Sequence, residues 1–322
     1  VVDSVGLKVP GTTVTYTSSN PTVLSVSSSG LIRSSGADGF ADITASSGTY
    51  HATRRFLLRS GPVPGIVATE QLGGGPFSAA IGRTGVFYVG DGSGGGVYRG
   101  DRPSYDFSNH LASNANVKSI AFDSSDRHAF AAEYGASYVG IVDVDSNRFV
   151  DSIDTWPALQ AVNQVISVAT SPEGTKLFVG TAMGIPVYDA HTFVLDTILP
   201  GYSVTAFSFH PTLPRVYVTV SGGVEEFDLN TLHLLRAWSE PGAAGTTVSP
   251  DGSELYIAAN NAGLRIVDLV SGADEPLVPL PGLYDVKVLP GSDVIVADGV
   301  RGGVFVLERA SRVLIARLPV GG

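Results

Sequence analysis

The stretch SPDGSELYIA, residues 249–258, is typical of a tight turn that leads directly into a β-strand. Its first four residues have turn chemistry, because proline presets φ, aspartate can bond its own backbone and glycine accepts a positive φ. The β-branched and aromatic residues that follow favour a strand. Near copies stand at 171–180 (SPEGTKLFVG) and 210–219 (HPTLPRVYVT). The chain therefore repeats one hairpin, and the spacing of the copies decides the fold.

The turn recurs along most of the chain, and its first residue falls at Gly82, Asp123, Ser171, His210, Ser249 and Leu289. These positions are 41, 48, 39, 39 and 40 residues apart. Each turn is followed by a strand, a small or glycine-bearing loop, a second strand that ends near an aspartate, and two further strands. Four strands in a period of about 40 residues, without helical periodicity, are the signature of a β-propeller blade.

Six copies of this unit can be read, at 75–114, 115–163, 164–203, 204–242, 243–282 and 283–322. They resemble the YVTN-type β-propeller repeat, which carries an SPDG-like turn, a YV-rich strand and a V-x-D strand end. Here these marks are the SPDG and SPEG turns, the strand YVTV at 217–220, and Asp143, Asp189, Asp228 and Asp268. The resemblance implies an all-β chain with a β-propeller over 75–322, and propellers of this family usually have seven blades. The segment GIVATEQL at 65–72 looks like one more outer strand, so six and seven blades both remain open.

The place of each motif in the repeat predicts its structural role. The SPDG-type turns are expected to join the two inner strands of each blade. The aspartate at the end of the following strand is expected to cap its own turn. Neither set of residues is expected to carry chemistry.

The first sixty residues break this period and are rich in serine and threonine. Apolar and polar residues alternate along them between turn signals at Asn20-Pro21 and Ser29-Gly30, which is typical of short strands. The segments YTSSNP (16–21), VSSSGL (26–31) and GFADITA (39–45) resemble the second family of bacterial Ig-like domains (Big2). The resemblance covers the later part of such a domain, which predicts a partial Ig-like sandwich at 1–60 and a longer natural precursor. Residues 61–74 are then a proline-stiffened linker and the extra outer strand.

The composition argues against several classes of protein. A net charge of −10 argues against nucleic acid as a partner, because phosphates need a basic face. No apolar run reaches the roughly 18 residues of a membrane-spanning helix. No cysteine is present, which excludes disulfides, thiolate metal sites and a cysteine nucleophile. The chain begins with Val1 rather than methionine, so we expect its start to be processed, trimmed or unobserved.

Two patterns match cofactor or metal motifs only formally. The glycine-rich run GDGSGG (90–95) fits G-x-G-x-x-G, but a dinucleotide site needs a helix after it, and the next residues favour a strand. Asp143, Asp145, Asn147 and Asp154 resemble the spacing of a calcium loop, but Arg148 stands where that loop needs glycine. A flexible hairpin and a strand-end turn are the better interpretations, and no cofactor or metal is predicted.

No catalytic residue is predicted either. The six histidines show no H-x-x-x-H pair and no carboxylate at ligand spacing. His210 fills the turn position that serine occupies in the neighbouring copies, which we interpret as a surface substitution. No G-x-S-x-G nucleophile elbow is present. Propeller enzymes can nevertheless assemble a site from scattered blade loops, so an enzyme remains an alternative.

One copy departs from the repeat and provides the candidate binding residues. It is about nine residues longer than its neighbours, because TWPALQAVN (155–163) is inserted before the next inner strand. Thr155 as a possible cap and a proline in the first turn favour a short helix here. Trp156 is either an interface anchor or a side chain that folds back onto its own blade. The insertion is expected to share one face of the propeller with the other candidate partner-binding residues: Glu133, Tyr134, Trp156, Leu159, Met183, Tyr202, Asn260, Asn261 and Arg301.

The broad face of a propeller and the missing catalytic motifs favour a protein that binds rather than reacts. Bacterial Ig-like domains of this kind generally stand on secreted and surface proteins as spacers and adhesion modules, which implies a periplasmic or cell-surface location. The leading expectation is a non-catalytic binding or scaffold protein, whose protein partner is a subunit of a cell-envelope or membrane-associated, energy-converting complex. The alternatives are a surface-layer or adhesion protein, and a propeller enzyme such as a lactonase-like hydrolase or a lyase.

Overall fold

The computed structural model describes residues 13–35, 37, 39–58, 75–101, 106–160, 164–260, 262–280, 282–288, 294–299 and 303–319. Within these ranges every regular element is a β-strand except one short helix, which confirms the predicted all-β class. No helix of the described residues is long and apolar enough to cross a membrane. The predicted extra strand at 65–72 lies outside the described residues.

The N-terminal residues form two small antiparallel sheets. The first consists of β1 (Thr15–Ser18), β4 (Gly39–Ser47) and β5 (Tyr50–Leu58) in that order, and the second of β2 (Leu24–Val26) and β3 (Ile32–Ser34). The buried core residues here are Val23, Leu24, Ala41 and Ile43. Both predicted turns are present, since the Asn20 carbonyl accepts the Val23 N–H and Gly30 adopts a φ of +83°. The assignment of these strands to the Ig-like family stays a prediction.

From Pro76 onwards the structure has one sheet in each predicted repeat, and we number these sheets 1 to 6 in chain order. Five of them have four strands that pair in sequence order. Sheet 1 consists of β6 (Pro76–Ile81), β7 (Val86–Asp91), β8 (Val97–Asp101) and β9 (Asp106–Leu111), and sheet 2 of β10 (Asn116–Phe122), β11 (His128–Tyr134), β12 (Tyr138–Asp143) and β13 (Arg148–Asp154). Sheet 3 consists of β14 (Val165–Thr170), β15 (Lys176–Thr181), β16 (Ile185–Asp189) and β17 (Leu195–Leu199), and sheet 4 of β18 (Ala206–Phe209), β19 (Arg215–Val220), β20 (Gly223–Asp228) and β21 (Leu234–Ser239). Sheet 6 consists of β25 (Leu283–Val288), β26 (Val294–Gly299), β27 (Gly303–Glu308) and β28 (Leu314–Pro319).

Sheet 5 has three strands, β22 (Ala243–Val248), β23 (Glu254–Ala259) and β24 (Gly263–Asp268). Its expected fourth strand is reduced to isolated bridges at Asp274 and Val278. Pro276 and Pro279 stand between and beside these bridges, and proline has no N–H to donate to a ladder. The prediction of four strands in every copy is therefore wrong for this copy.

The SPDG-type turns join the first and second strands of their sheets, as predicted. Between β22 and β23, the Ser249 carbonyl accepts the Gly252 N–H, and the Ser249 hydroxyl accepts the Glu254 N–H at 2.9 Å. Ser171 makes the same pair of bonds in sheet 3. The serine hydroxyl thus provides an acceptor for the first N–H of the next strand, which explains why serine opens these turns.

The aspartates that end the third strands cap their own turns, as predicted. In sheets 3, 4 and 5, Oδ1 of Asp189, Asp228 and Asp268 accepts the N–H groups two and three residues further on, at 2.6–3.0 Å. Asp143 accepts the Ser146 N–H and hydroxyl in sheet 2. These donors lower the pKa of all four carboxyl groups, which keeps them ionised and in place.

The turn of sheet 4 also contacts the turn of sheet 5, through a histidine. His210 is only 7% exposed, and its Nε2–H donates to the Gly252 carbonyl at 3.1 Å. Its Nδ1 accepts the N–H groups of Thr212 and Leu213, which requires the neutral imidazole. The interpretation of His210 as a surface substitution is wrong, because the ring is buried between two turns. Gly252 can approach it so closely only because it lacks a side chain.

Successive sheets pack against each other through apolar side chains and through their first strands. One core cluster, for example, combines Phe130 and Ile141 of sheet 2 with Leu177 of sheet 3. Between the first strands of the same two sheets, the Thr170 hydroxyl donates to the Phe122 carbonyl at 2.7 Å. Four-stranded sheets that stack in chain order with their first strands adjacent fit a β-propeller.

Candidate functional site

One end of sheets 1 to 5, together with the start of β25 in sheet 6, is called the connection face; it carries the hairpins between second and third strands and the connections from one sheet to the next. Its described hairpin residues are 92–96, 135–137, 182–184, 221–222, 260 and 262, and its described connections are 112–115, 155–160, 164, 200–205 and 240–242. Seven of the predicted partner-binding residues lie here or at the adjoining strand ends: Glu133, Tyr134, Trp156, Leu159, Met183, Tyr202 and Asn260. The other two, Asn261 and Arg301, lie outside the described residues.

Backbone hydrogen bonds tie the hairpins of this face to the connections on either side. The Ala182 N–H donates to the Gln164 carbonyl, and the Ala182 carbonyl accepts the Ser203 N–H. Asn260 is tied in the same way to the connections before and after it. Because these bonds use only the backbone, they do not depend on the side chains at positions 182 and 260.

The insertion forms the predicted short helix, α1 (Trp156–Leu159), with a proline in its first turn. Thr155 precedes the helix, but its hydroxyl does not cap it and instead donates to the Ser137 carbonyl at 2.9 Å. The Trp156 N–H donates to Asp154 Oδ1, also at 2.9 Å. The prediction of Thr155 as the capping side chain is wrong, because its buried hydroxyl is bonded to the adjacent hairpin and not to an N–H group of the helix.

The helix holds one apolar side chain against the protein and presents another to solvent. Leu159 is half-buried, and its Cδ2 lies 3.1 Å from the position that a Cβ on Gly184 would occupy. Trp156 is 46% exposed. Both interpretations of Trp156, as an interface anchor and as a side chain folded onto its own sheet, stay predictions.

Six large apolar side chains of the connection face are exposed: Phe77 (57%), Tyr138 (43%), Trp156 (46%), Met183 (52%), Tyr202 (68%) and Tyr284 (50%). They come from strand ends, hairpins and connections of different sheets. The sequence predicted Trp156, Met183 and Tyr202, whereas it missed the other three. Each of the missed residues is an aromatic within two positions of a strand end on this face, which is a signal that the repeat alignment contains.

A cleft of about 590 Å³ opens on the connection face where the connection 112–116 passes sheet 2. Its other walls are formed by the hairpin 133–136 and by Tyr138, Phe149, Asp151 and Ser152. Gly140 lies beneath them, and a Cβ there would stand 2.7 Å from both Glu133 Oε1 and the Phe149 ring. The packing at this point therefore leaves no room for a side chain on residue 140.

The cleft has an acidic lining. The described residues that line it include two acids, Glu133 and Asp151, and no lysine, arginine or histidine. Burial raises the pKa of Glu133, and its carboxylate has no ion-pair or hydrogen-bond partner among the described residues. Lys118 is nearby, but its Nζ lies over the Phe77 ring, 3.8 Å from the ring centre, and 5.3 Å from the centre of the Tyr134 ring.

The motifs that formally match cofactor and metal sites have structural roles. GDGSGG forms the hairpin between β7 and β8, where Asp91 Oδ1 accepts the N–H groups of Ser93 and Gly94. In the calcium-like segment, Asp143 caps its turn and the Asn147 side-chain oxygen accepts the Tyr88 hydroxyl at 3.0 Å. Across the described ranges, no group of three or more metal-ligating side chains could hold an ion.

Comparison with known proteins bears on the fold. No protein-family model and no curated protein matches the chain. A chain from the structure titled "Kuenenia stuttgartiensis Hydrazine Synthase" is similar, with a TM-score of 0.67 and 16% sequence identity, over 81% of this chain and 91% of that chain. A likeness at this identity shows the fold alone. Because 1589 solved chains match, this fold does not select a function.

Proposed function

We propose that this chain is a non-catalytic binding or scaffold protein of the bacterial cell envelope, which contacts another protein through the connection face. The observation that supports this most is the set of six large apolar side chains exposed on that face, by 43–68%. Tryptophan and tyrosine are enriched among the residues that anchor protein interfaces. The backbone ties keep the loops in place, which reduces the entropy lost on binding.

The fold and location behind this proposal come from the repeat and from the N-terminal segment. The stacked sheets, with their SPDG-type turns and aspartate-capped strand ends, support a YVTN-type propeller of six or seven blades. The segments YTSSNP, VSSSGL and GFADITA support a partial Ig-like domain at 1–60, and thereby a periplasmic or cell-surface position. The partner is then an envelope protein, such as a subunit of a membrane-associated, energy-converting complex.

The role of the connection face can be tested with its own aromatic residues. Trp156→Ala and Tyr202→Ala, alone and combined, are expected to reduce the recovery of the partner when the chain is cross-linked and captured from its native envelope fraction. Tyr50→Ala is the matched control, since Tyr50 is 83% exposed and lies outside this face. The partner is the protein whose recovery falls with the face variants and not with the control. If recovery is unchanged in a double variant that melts like the wild type, the proposal is wrong.

A propeller enzyme is the alternative that one observation favours. Glu133 is a carboxyl group with a raised pKa in a cleft, which is a common property of general acids and bases. The similar solved chain also comes from a structure whose title names an enzyme. A lactonase-like hydrolase or a lyase would need a second acid–base group aimed at the same substrate atom, for which the cleft offers only Asp151. Lactone hydrolysis that disappears in Glu133→Gln would support this alternative.

A further inference from the structure

The acidic cleft on the connection face allows the chemistry of the partner to be specified. We propose that it binds a basic side chain of the partner, a lysine ammonium or an arginine guanidinium, and this inference rests on the proposed function. Three properties of the cleft support it: the charge of its lining, the arrangement of its aromatic rings and the lack of a partner for the Glu133 carboxylate.

Charge excludes anionic ligands and favours cations. Glu133 and Asp151 are the charged residues of the described lining, which includes no basic side chain. The whole chain also carries a net charge of −10, which favours cations over anions. Lys118 is the positive group beside the cleft, and its ammonium is held over the Phe77 ring rather than paired with Glu133. A phosphate or an acidic sugar would meet repulsion here, whereas an organic cation would not.

The arrangement of side chains fits a cation at the end of a flexible chain. Glu133 on β11 is directly opposite Tyr138 on β12, so the two side chains stand on the same side of sheet 2. The Glu133 carboxylate lies over Gly140 with the Phe149 ring beside it. A carboxylate low in a cleft with tyrosine and phenylalanine at its walls offers an ion pair together with contacts to aromatic faces, which attract ammonium and guanidinium groups.

The size and the energetics of the cleft agree with such a ligand. A volume of about 590 Å³ is in the range of pockets that enclose small molecules, so it admits a projecting side chain but not a folded protein surface. Glu133 is half-buried, and a desolvated carboxylate without a partner is unfavourable. A cation that enters the cleft compensates for this lost hydration, which makes Glu133 the residue on which binding should depend.

Binding can be measured directly with small probes. We expect N-acetyl-lysine methylamide and N-acetyl-arginine methylamide to shift the backbone NMR signals of Gly135, Gly140 and Ser152 in a saturable way, and N-acetyl-norleucine methylamide to leave them unchanged. Glu133→Gln is expected to weaken the cation titrations about tenfold, since a partly desolvated ion pair is lost. Glu173→Gln makes the same change of charge in an exposed turn of sheet 3 and is expected to have no effect.

Three results would overturn the inference. The basic probes could leave these signals unmoved, they could bind Glu133→Gln as well as the wild type, or a neutral hexose could shift the same signals and so identify a saccharide site.

The captured partner decides the source of the cation, because its recovery is expected to fall with Glu133→Gln and not with Glu173→Gln. Probe binding without any effect on partner recovery is a fourth result that overturns the inference, because the cleft is then a site for free amines, and the proposed function still stands on Trp156 and Tyr202. If no protein depends on those aromatic residues, the proposed function itself is wrong.

Discussion

Replacement of His210 by alanine is expected to destabilise the stacked sheets through a contact between two turns. In the wild type the Nε2–H donates to the Gly252 carbonyl at 3.1 Å. Nδ1 accepts the N–H groups of Thr212 and Leu213 at 3.2 and 3.0 Å. Alanine removes all three hydrogen bonds and leaves a void beside Gly252.

The size of the effect follows from which groups remain exposed to water. Thr212 and Leu213 are exposed, so their N–H groups can bond water once the ring is gone. Gly252 is buried, and its carbonyl loses a partner without an obvious replacement. A buried polar group left unsatisfied costs about 1–3 kcal/mol, so we expect the free energy of unfolding to fall by about 2 kcal/mol.

The same histidine should make stability depend on pH. Burial lowers the pKa of His210, although the hydrogen bond to Gly252 opposes this shift. The unfolded chain, in which the pKa is about 6.5, therefore binds a proton in a pH range where the folded chain does not. The contribution of His210 to the free energy of unfolding is therefore expected to be fully present above the pKa of the unfolded state. It is expected to be lost as the pH falls from there towards the lowered pKa of the folded state.

Urea denaturation above and below the ordinary pKa of histidine, which is about 6.5, tests both parts of this prediction. The wild type should lose stability on the acidic side, and His210→Ala should be less stable at the higher pH and lose less on acidification. His191→Ala, in an exposed turn of sheet 3, is the matched control. The reasoning is refuted if His210→Ala is as stable as the wild type, or if both lose the same amount on acidification.

Three further substitutions test other contacts of the fold. Glu226→Gln should lower the free energy of unfolding by about 3 kcal/mol in a denaturation experiment, because this fully buried carboxylate pairs with two arginines at 2.5 and 2.7 Å. Gly252→Ala should cost more than about 1 kcal/mol, since φ there is +75°, whereas Gly222→Ala, in open space, should melt like the wild type. Leu159→Ala should leave global stability nearly unchanged but speed amide exchange in α1, and unchanged exchange would contradict its anchoring role.

The parts of the fold that the sequence predicts are those that depend on neighbouring residues. An SPDG turn and the aspartate that caps the following turn act over two to five residues, so their spacing alone locates the strands. The shortened fourth strand of sheet 5 was predictable in the same way, since Pro276 and Pro279 interrupt it. The period of the repeat predicts a fourth strand at this position, whereas the local chemistry of proline predicts its interruption.

The parts that the sequence does not predict depend on contacts between distant segments. His210 and Gly252 are 42 residues apart, and nothing in either segment shows that the two turns touch. The cleft likewise needs Glu133, Gly140 and Phe149 together with a connection from the preceding sheet. The position of Tyr138 beside a strand end can be read from the repeat, but its exposure depends on which side of sheet 2 it faces.

The two ends of the sheets differ in how their side chains are used. At the end opposite the connection face, the turn residues are occupied by internal bonds: the serine hydroxyls, the capping aspartates and His210 all serve the backbone. On the connection face, backbone bonds and a few side chains, such as Thr155 and Asp91, hold the loops, whereas Trp156 is exposed and Glu133 has no hydrogen-bond partner among the described residues. A repeat that keeps one end uniform and varies the other can change its partner without a change in its folding, because the interactions that fold it do not use the varied residues.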